Sequence, residues 1–161
     1  MTESTHMQMI QKCGNHIFYI ESPSPEIQLA AVSNYGRSIQ YIKNPSYEVQ
    51  LAAVKNCGFA IQFIPNPTLE IQLAAVANDG WCLYLIPDPC ETVKFTAVIQ
   101  NGFALNFISE PSEAVQLAAV NQNGDSIQFI RNPSRDVQLV AVWQSPWAIR
   151  YIAKPYPEVR E

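Results

Sequence analysis

Charge is what this sequence has least of. Asp, Glu, Lys and Arg make up 15% of its 161 residues, against about 25% in an ordinary soluble domain. The balance of 14 acids and 10 bases gives −4, which argues against nucleic acid as a partner, because phosphate recognition needs a basic face. Long apolar stretches are missing as well. Runs such as Leu29-Ala30-Ala31-Val32 fall far short of the roughly 20 residues a bilayer span requires, so no membrane segment is expected. The first residues, Met-Thr-Glu-Ser-Thr-His-Met-Gln-Met, lack a basic region followed by an apolar one, the mark of a secretory leader. The expected location is the cytoplasm. Cys13, Cys57, Cys82 and Cys90 form no C-x-x-C pair, and free thiols are expected.

What is present is a repeat. Prolines stand at 23, 45, 67, 89, 111, 133 and 155, each 22 residues from the last, with no insertion or deletion. With each proline as position 1, the unit reads Pro-Ser-x-Glu-Val-Gln-Leu-Ala-Ala-Val-x-Asn-x-Gly-x-Ala-Ile-Gln-Tyr-Ile-x-Asn. Six full copies occupy 23–154. Residues 1–22 form a diverged first copy, a capping repeat in which Ile10, Gly14, Ile17, Tyr19 and Ile20 keep the register, and 155–161 form a terminal fragment. A fixed period of this kind is the signature of a solenoid, so the whole of 1–161 reads as a single repeat domain.

Each copy predicts two short segments. Ser46, Thr68, Ser112 and Ser134 are N-cap residues for the first, and Ser24-Pro25 places proline at the first helical position. Glu26, Glu48 and Glu70 occupy the first turn, where the helix dipole favours acids. Gly36, Gly58, Gly80, Gly102 and Gly124 are expected to end that helix as left-handed residues. Pro146 replaces the glycine in the last copy, and a different turn is expected there. The second segment, for example Ala60–Ile64, places positions 16, 17 and 20 on one face at helical spacing. Its Ile, Phe and Tyr content also suits a strand. The reading is an all-α, right-handed α-solenoid of two-helix repeats, α/α or α/3₁₀; an α/β horseshoe is the alternative. Ten-residue helices are marginal alone, so stacking of neighbouring copies must supply the core.

Catalytic chemistry finds no footing. The glycines come one per repeat, and none opens a phosphate loop ending in Lys-Ser/Thr. His6 and His16 lie in the first copy with Cys13, and a capping repeat with scattered polar residues accounts for them better than a metal site. Cys57 and Cys90 have no histidine in their own or adjacent copies to serve as a base. Glu26, Glu48, Glu70 and Asp136 recur once per repeat at a helix start, which the dipole explains. No catalytic residue, metal or cofactor is expected, and the chain reads as a non-enzyme.

The strings Glu48-Val-Gln-Leu-Ala-Ala-Val-Lys-Asn-Cys-Gly-Phe-Ala-Ile-Gln-Phe-Ile64 and Glu70-Ile-Gln-Leu-Ala-Ala-Val76 resemble the bacterial and phage repeats catalogued as domain of unknown function 4116. The Asn-Pro-Ser-x-Glu-Val phrase is also similar to leucine-rich-variant repeats, which stack α- with 3₁₀-helices. Both resemblances imply a helical solenoid and neither implies catalysis. The first implies a bacterial or phage origin, with a small repeat protein that inhibits or adapts a host or competitor protein. For a phage protein the compartment would be the host cytoplasm.

Candidate binding residues follow from positions that stacking leaves free. Position 15 carries Arg37, Phe59, Trp81, Phe103, Asp125 and Trp147; position 11 carries Ser33, Lys55, Ala77, Ile99, Asn121 and Trp143. Both rows turn apolar in the middle copies. Phe59, Trp81, Phe103, Ile99 and Ala77, with Tyr84, form a candidate stripe for a protein partner. The competing reading packs each ring on position 19 of its own copy, Phe59 on Phe63 and Trp81 on Leu85. Trp143 and Trp147 at the end are candidates for a homodimer interface, the basis of a second reading as a self-assembling structural protein. Position 6 holds Gln28, Gln50, Gln72, Lys94, Gln116 and Gln138, a strip whose amides either satisfy loop carbonyls or read a ligand. A small-molecule sponge on that strip ranks third. The fourth full copy departs from the others at Cys90, Thr92, Lys94, Phe95, Thr96 and Asn106, which marks it as a bend, a site or an interface.

Overall fold

A computed structural model describes residues 2–159. Seven ten-residue α-helices run along the chain: α1 (Glu3–Lys12), α2 (Pro25–Asn34), α3 (Tyr47–Asn56), α4 (Leu69–Asn78), α5 (Glu91–Gln100), α6 (Glu113–Gln122) and α7 (Arg135–Gln144). Each is followed by a six-residue 3₁₀-helix: Gly14–Tyr19, Gly36–Tyr41, Gly58–Phe63, Gly80–Leu85, Gly102–Phe107, Gly124–Phe129 and Pro146–Tyr151. A last short 3₁₀ turn, Pro157–Val159, packs on α7. No strand occurs among the described residues. The α-helices stack on one another, the 3₁₀-helices do the same, and each α-helix also meets the 3₁₀-helix of the preceding repeat. The α/3₁₀ form of the solenoid is therefore the observed one, and the first 22 residues build a complete repeat.

The helix starts follow from the sequence. Ser46, Thr68, Ser112 and Ser134 each accept the backbone N–H three residues on, and Pro25 opens α2. Inside, the isoleucine, valine and alanine at positions 5, 9 and 10 are buried in successive copies, as in Ile71, Ala75 and Val76. In the second segment the observed period is three. A 3₁₀-helix eclipses side chains at i and i+3, so Gly36, Ile39 and Ile42 bury together, with position 16 beside them. One continuous core results, with Ile130 packed against both its long N-terminal part and its C-terminal part.

The glycines do something other than what the turn pattern predicts. None has positive φ. The α-helix ends instead on an extended residue, such as Asp79 at φ −151, and the glycine opens the 3₁₀-helix. Its role is close approach. A Cβ on Gly80 would lie 2.5 Å from the carbonyl oxygen of Ala97 in the next repeat, and the other five glycines meet the same obstacle within 2.3–2.5 Å. The freed space admits an amide clamp. The Gly36 N–H donates to Asn56 Oδ1 at 2.7 Å while Asn56 Nδ2 donates to the Ser33 carbonyl at 2.8 Å. Asn34 and Asn78 bridge in the same way. Gln100, Gln122 and Gln144 accept from Gly80, Gly102 and Gly124.

Both ends of the chain break this rule. Lys12 occupies the clamp position of the first copy and offers no acceptor. Pro146 occupies the glycine position of the last copy and offers no N–H. Pro146 nevertheless opens an ordinary 3₁₀-helix, so the altered turn expected there does not form. The exposed end of α7 is instead covered by the 155–159 segment: Tyr156 N donates to Gln138 Oε1 at 3.1 Å, Arg135 pairs with Glu158 at 3.1 Å, and Val159 is buried.

Two substitutions test the clamp by urea unfolding. Asn78→Ala removes both bonds to the preceding repeat, from the Gly58 N–H and to the Lys55 carbonyl, and should destabilise by about 1–3 kcal/mol, whereas Asn78→Gln, the residue used at 100, 122 and 144, should cost less than half of that. Gly102→Ala should lose about 1–3 kcal/mol through forced displacement of the stack, while Pro146→Ala changes the midpoint little.

Candidate functional site

The 3₁₀ period that buries positions 14, 17 and 20 turns positions 15 and 18 outward together. Trp81 and Tyr84 share one such row and are 39% and 56% exposed, while Phe59 and Phe103 are half-buried. Among the described residues the rings of Phe59 and Phe103 make no ring pair with position 19 of their own copy. They brace across the junction to the next repeat: Phe59 on Tyr84 at 6.3 Å between centroids, Trp81 on Phe107 at 5.5 Å, and Phe103 on Phe129 at 6.0 Å. Tyr84 also meets Phe107 at 5.6 Å. The result is an aromatic strip along the stacked 3₁₀-helices, with Phe59, Tyr84, Phe107 and Trp81 in one linked set and Phe103 with Phe129 in the next. Phe107 and Phe129 at position 19 belong to it, and the recurrence of Phe at that position was the signal that could have found them.

In the copies with Asp or Asn before the glycine, that residue holds the backbone N–H of the residue after it. Asp79 Oδ1 accepts the Trp81 N–H and Asn101 Oδ1 accepts the Phe103 N–H, both at 3.0 Å. These bonds hold the backbone of the strip as the first turn of each 3₁₀-helix. At the strip's margins the chemistry changes. Arg37 stands at position 15 of the copy before Phe59 and makes no ion pair among the described residues. At the other margin Asp125 is engaged by Ser145 Oγ at 3.0 Å and Arg150 at 3.6 Å, and Arg150 also lies 4.7 Å over the Tyr151 ring. Between Arg37 and Asp125 no outward residue at positions 15, 18 or 19 is charged.

The other candidates sit elsewhere. Ala77 and Ile99 are exposed in the last turns of α4 and α5, Ile99 at 54%, on the α-helical layer and not in the row of Trp81 and Tyr84. Trp143 and Trp147 are 82% and 74% exposed at the C-terminal end. Trp147 holds the row position of Phe59 and Trp81 but makes no ring pair among the described residues. The glutamine strip is internally satisfied: Gln28, Gln50, Gln72, Gln116 and Gln138 each donate to the carbonyl of their own repeat's leading proline at 2.9–3.2 Å. Lys94 cannot accept, and its copy departs from the rest mainly at the edge and outer face. Val93, Ala97 and Val98 remain fully buried there, and Thr96 Oγ1 turns back on the Thr92 carbonyl at 2.8 Å.

Groups with reactive chemistry are dispersed. Among the described residues no three His, Cys, Asp or Glu side chains converge as a metal site, and His6 and His16 meet ring to ring at 6.4 Å. All four cysteines are free. Cys82 lies in the core, where burial first, and then the Asp79 carboxylate, pushes its thiol up to about 12. No protein-family model matches the chain, and comparisons with curated proteins and with solved structures return no match. Among the described residues no helix is long and apolar enough to cross a membrane.

Cys82 supplies a clean measurement. A thiol whose folded pKa lies above its unfolded value contributes stability that is complete below the unfolded pKa and is lost as pH rises toward the folded one. Its contribution should therefore fall between pH 9.0 and about 12, and Cys82→Ala, matching Ala60 and Ala104, should flatten that part of the curve. In thiol titration near neutral pH, Cys13 and Cys90 should react at once, and Cys82 only on unfolding.

Proposed function

We propose that this chain is a non-enzymatic, protein-binding repeat scaffold, an inhibitor or adaptor that captures its partner on the aromatic strip of Phe59, Trp81, Tyr84, Phe103 and Phe107. The observation that carries the reading is the bracing of these rings across repeat junctions while Trp81, Tyr84 and Phe107 stay 36–56% exposed. Large rings that are already immobilised lose little entropy on binding, which is what makes aromatic residues interface hot spots. Ile99 and Ala77 widen the apolar surface on the α-helical layer. The resemblance to bacterial and phage repeats supports a host or competitor protein as the target.

The test is alanine substitution against a captured partner. Tyr84→Ala and Trp81→Ala should each weaken capture by at least about tenfold, while Gln28→Ala and Gln116→Ala leave affinity within about twofold. A partner held equally well by all four variants would place binding elsewhere.

A second reading rests on Trp143 and Trp147, whose exposure at one end fits association of two copies. Pro146 and Lys12 bar a simple continuation of the stack, so such contact would be face to face and would close as a dimer. Light-scattering mass over a concentration series should then double, and Trp143→Ala with Trp147→Ala should return it to about 18 kDa.

A further inference from the structure

We propose that the groove between the loops 130–134 and 152–157 binds a small organic anion, with a phosphate or carboxylate group at Arg131 and Lys154 and a ring-bearing body against Tyr151 and Tyr156. The site shares no residue with the aromatic strip, so it goes beyond the protein-binding reading and does not depend on it. Three observations carry it.

The first is a cavity of fitting size. Residues of the two loops enclose about 570 Å³, within the roughly 300–1,000 Å³ of small-molecule sites. A bare ion would leave most of that space unfilled. The walls are tied together by Gln138, which lines the cavity and is 3% exposed. Its Nε2 donates to the Pro133 carbonyl at 3.2 Å and to the Lys154 carbonyl at 3.5 Å, and its Oε1 accepts the Tyr156 N–H at 3.1 Å. One buried side chain thus joins both loops and fixes the space between them before any ligand arrives.

The second is charge. The chain carries −4, yet residues 126–159 hold Arg131, Arg135, Arg150 and Lys154 against only Asp136 and Glu158. Both of those acids are paired with Arg135, at 3.8 and 3.1 Å. Arg150 is taken by Asp125 at 3.6 Å. Arg131 and Lys154 remain. They line the cavity, no acid lines it with them, and neither makes an ion pair among the described residues. Two uncompensated cations on one concave surface concentrate anions there. They also disfavour a cationic ligand, and the arginine fork suits phosphate and carboxylate alike.

The third is a pair of aromatic walls. Tyr151 and Tyr156 both line the cavity. Arg150 donates to the Tyr151 hydroxyl at 2.7 Å and lies 4.7 Å over its ring, which restrains that side chain. The Tyr156 backbone is held by Gln138. With Pro133 beside them, these rings offer an apolar surface to a flat ligand, and a wall restrained in advance costs little to order on binding.

Isothermal titration calorimetry on the full chain tests this with four probes: adenosine monophosphate, indole-3-acetate, adenosine and inorganic phosphate. At least one of the two ring-bearing anions should saturate with Kd below about 1 mM, while adenosine and inorganic phosphate each bind at least about tenfold more weakly. Binding of the monophosphate alone assigns a phosphate ligand, and binding of the indole acid alone a carboxylate. Added salt should weaken the interaction. Arg131→Gln with Lys154→Gln should weaken it at least about tenfold, and Tyr156→Ala about threefold to tenfold. Arg37→Gln, a cation removed elsewhere, should leave it within about twofold. Circular dichroism melts confirm that each variant keeps the fold. No saturable binding by either ring-bearing anion up to about 10 mM overturns the proposal, as does affinity unchanged in the Arg131 and Lys154 double variant. Inorganic phosphate bound as tightly as the monophosphate shows an adventitious ion only and also overturns it. Adenosine bound as tightly removes the part played by charge and overturns it too. None of these outcomes touches capture of a protein at Trp81 and Tyr84.

Discussion

The structure depends on how closely one repeat can approach the next at a single point, where a glycine lies against an alanine carbonyl of its neighbour. A Cβ there would be 2.3–2.5 Å from that oxygen in every copy that has one, so the contact exists only because the side chain is absent. Once it is made, the glycine N–H is buried and must be given an acceptor, and the position-12 amide of the next repeat supplies one. The same neighbour restricts position 16, which packs over the preceding glycine and is limited to Ala, Ser or Cys, as Ala60, Ser126 and Cys82 show. The clamp joins residues 20 and 23 apart in the chain. An insertion in any copy would move the amide off its glycine, which accounts for a spacing of 22 held without exception.

This division of labour leaves a definite surface free. Positions 5, 9, 10, 14, 16, 17 and 20 are committed to the core of the stack, whereas 11 faces outward and 15 and 18 meet the next copy only through their rings where they carry one. It is in those outward rows that the copies differ, from Arg37 to Trp81 to Asp125 and from Gln62 to Tyr84 to Arg150. The fourth full copy follows the same logic. Its unusual residues fall at the helix start and on the outer face, so its core contacts match those of its neighbours.

The period, the number of copies and the helix starts follow from local signals: proline spacing, Ser or Thr caps, and apolar positions within ten residues; the second segment stayed open between helix and strand, and the structure selects the 3₁₀-helix. What was not legible is what crosses a junction. In a perfect repeat every copy carries the same residue at a given position, so the sequence cannot show whether Phe59 meets its own Phe63 or the next copy's Tyr84, and the structure selects the second. The glycines were open to the same confusion, because a residue needed for close approach and one needed for positive φ look alike in a sequence. The 3₁₀ geometry hid in plain view. Positions 14, 17 and 20 are spaced by three, but the first of them is glycine, which no apolar pattern counts as buried.

Trp147 shows what the stack does to the strip. It occupies the same position as Trp81, yet is 74% exposed where Trp81 is 39%. Trp81 is wedged against Phe107 at 5.5 Å between centroids, whereas no ring among the described residues pairs with Trp147. Holding an unbraced side chain still on binding costs of order 1 kcal/mol for each immobilised group, and bracing removes that cost. The same contact that reduces the apolar area on offer at Trp81 therefore also preorganises it.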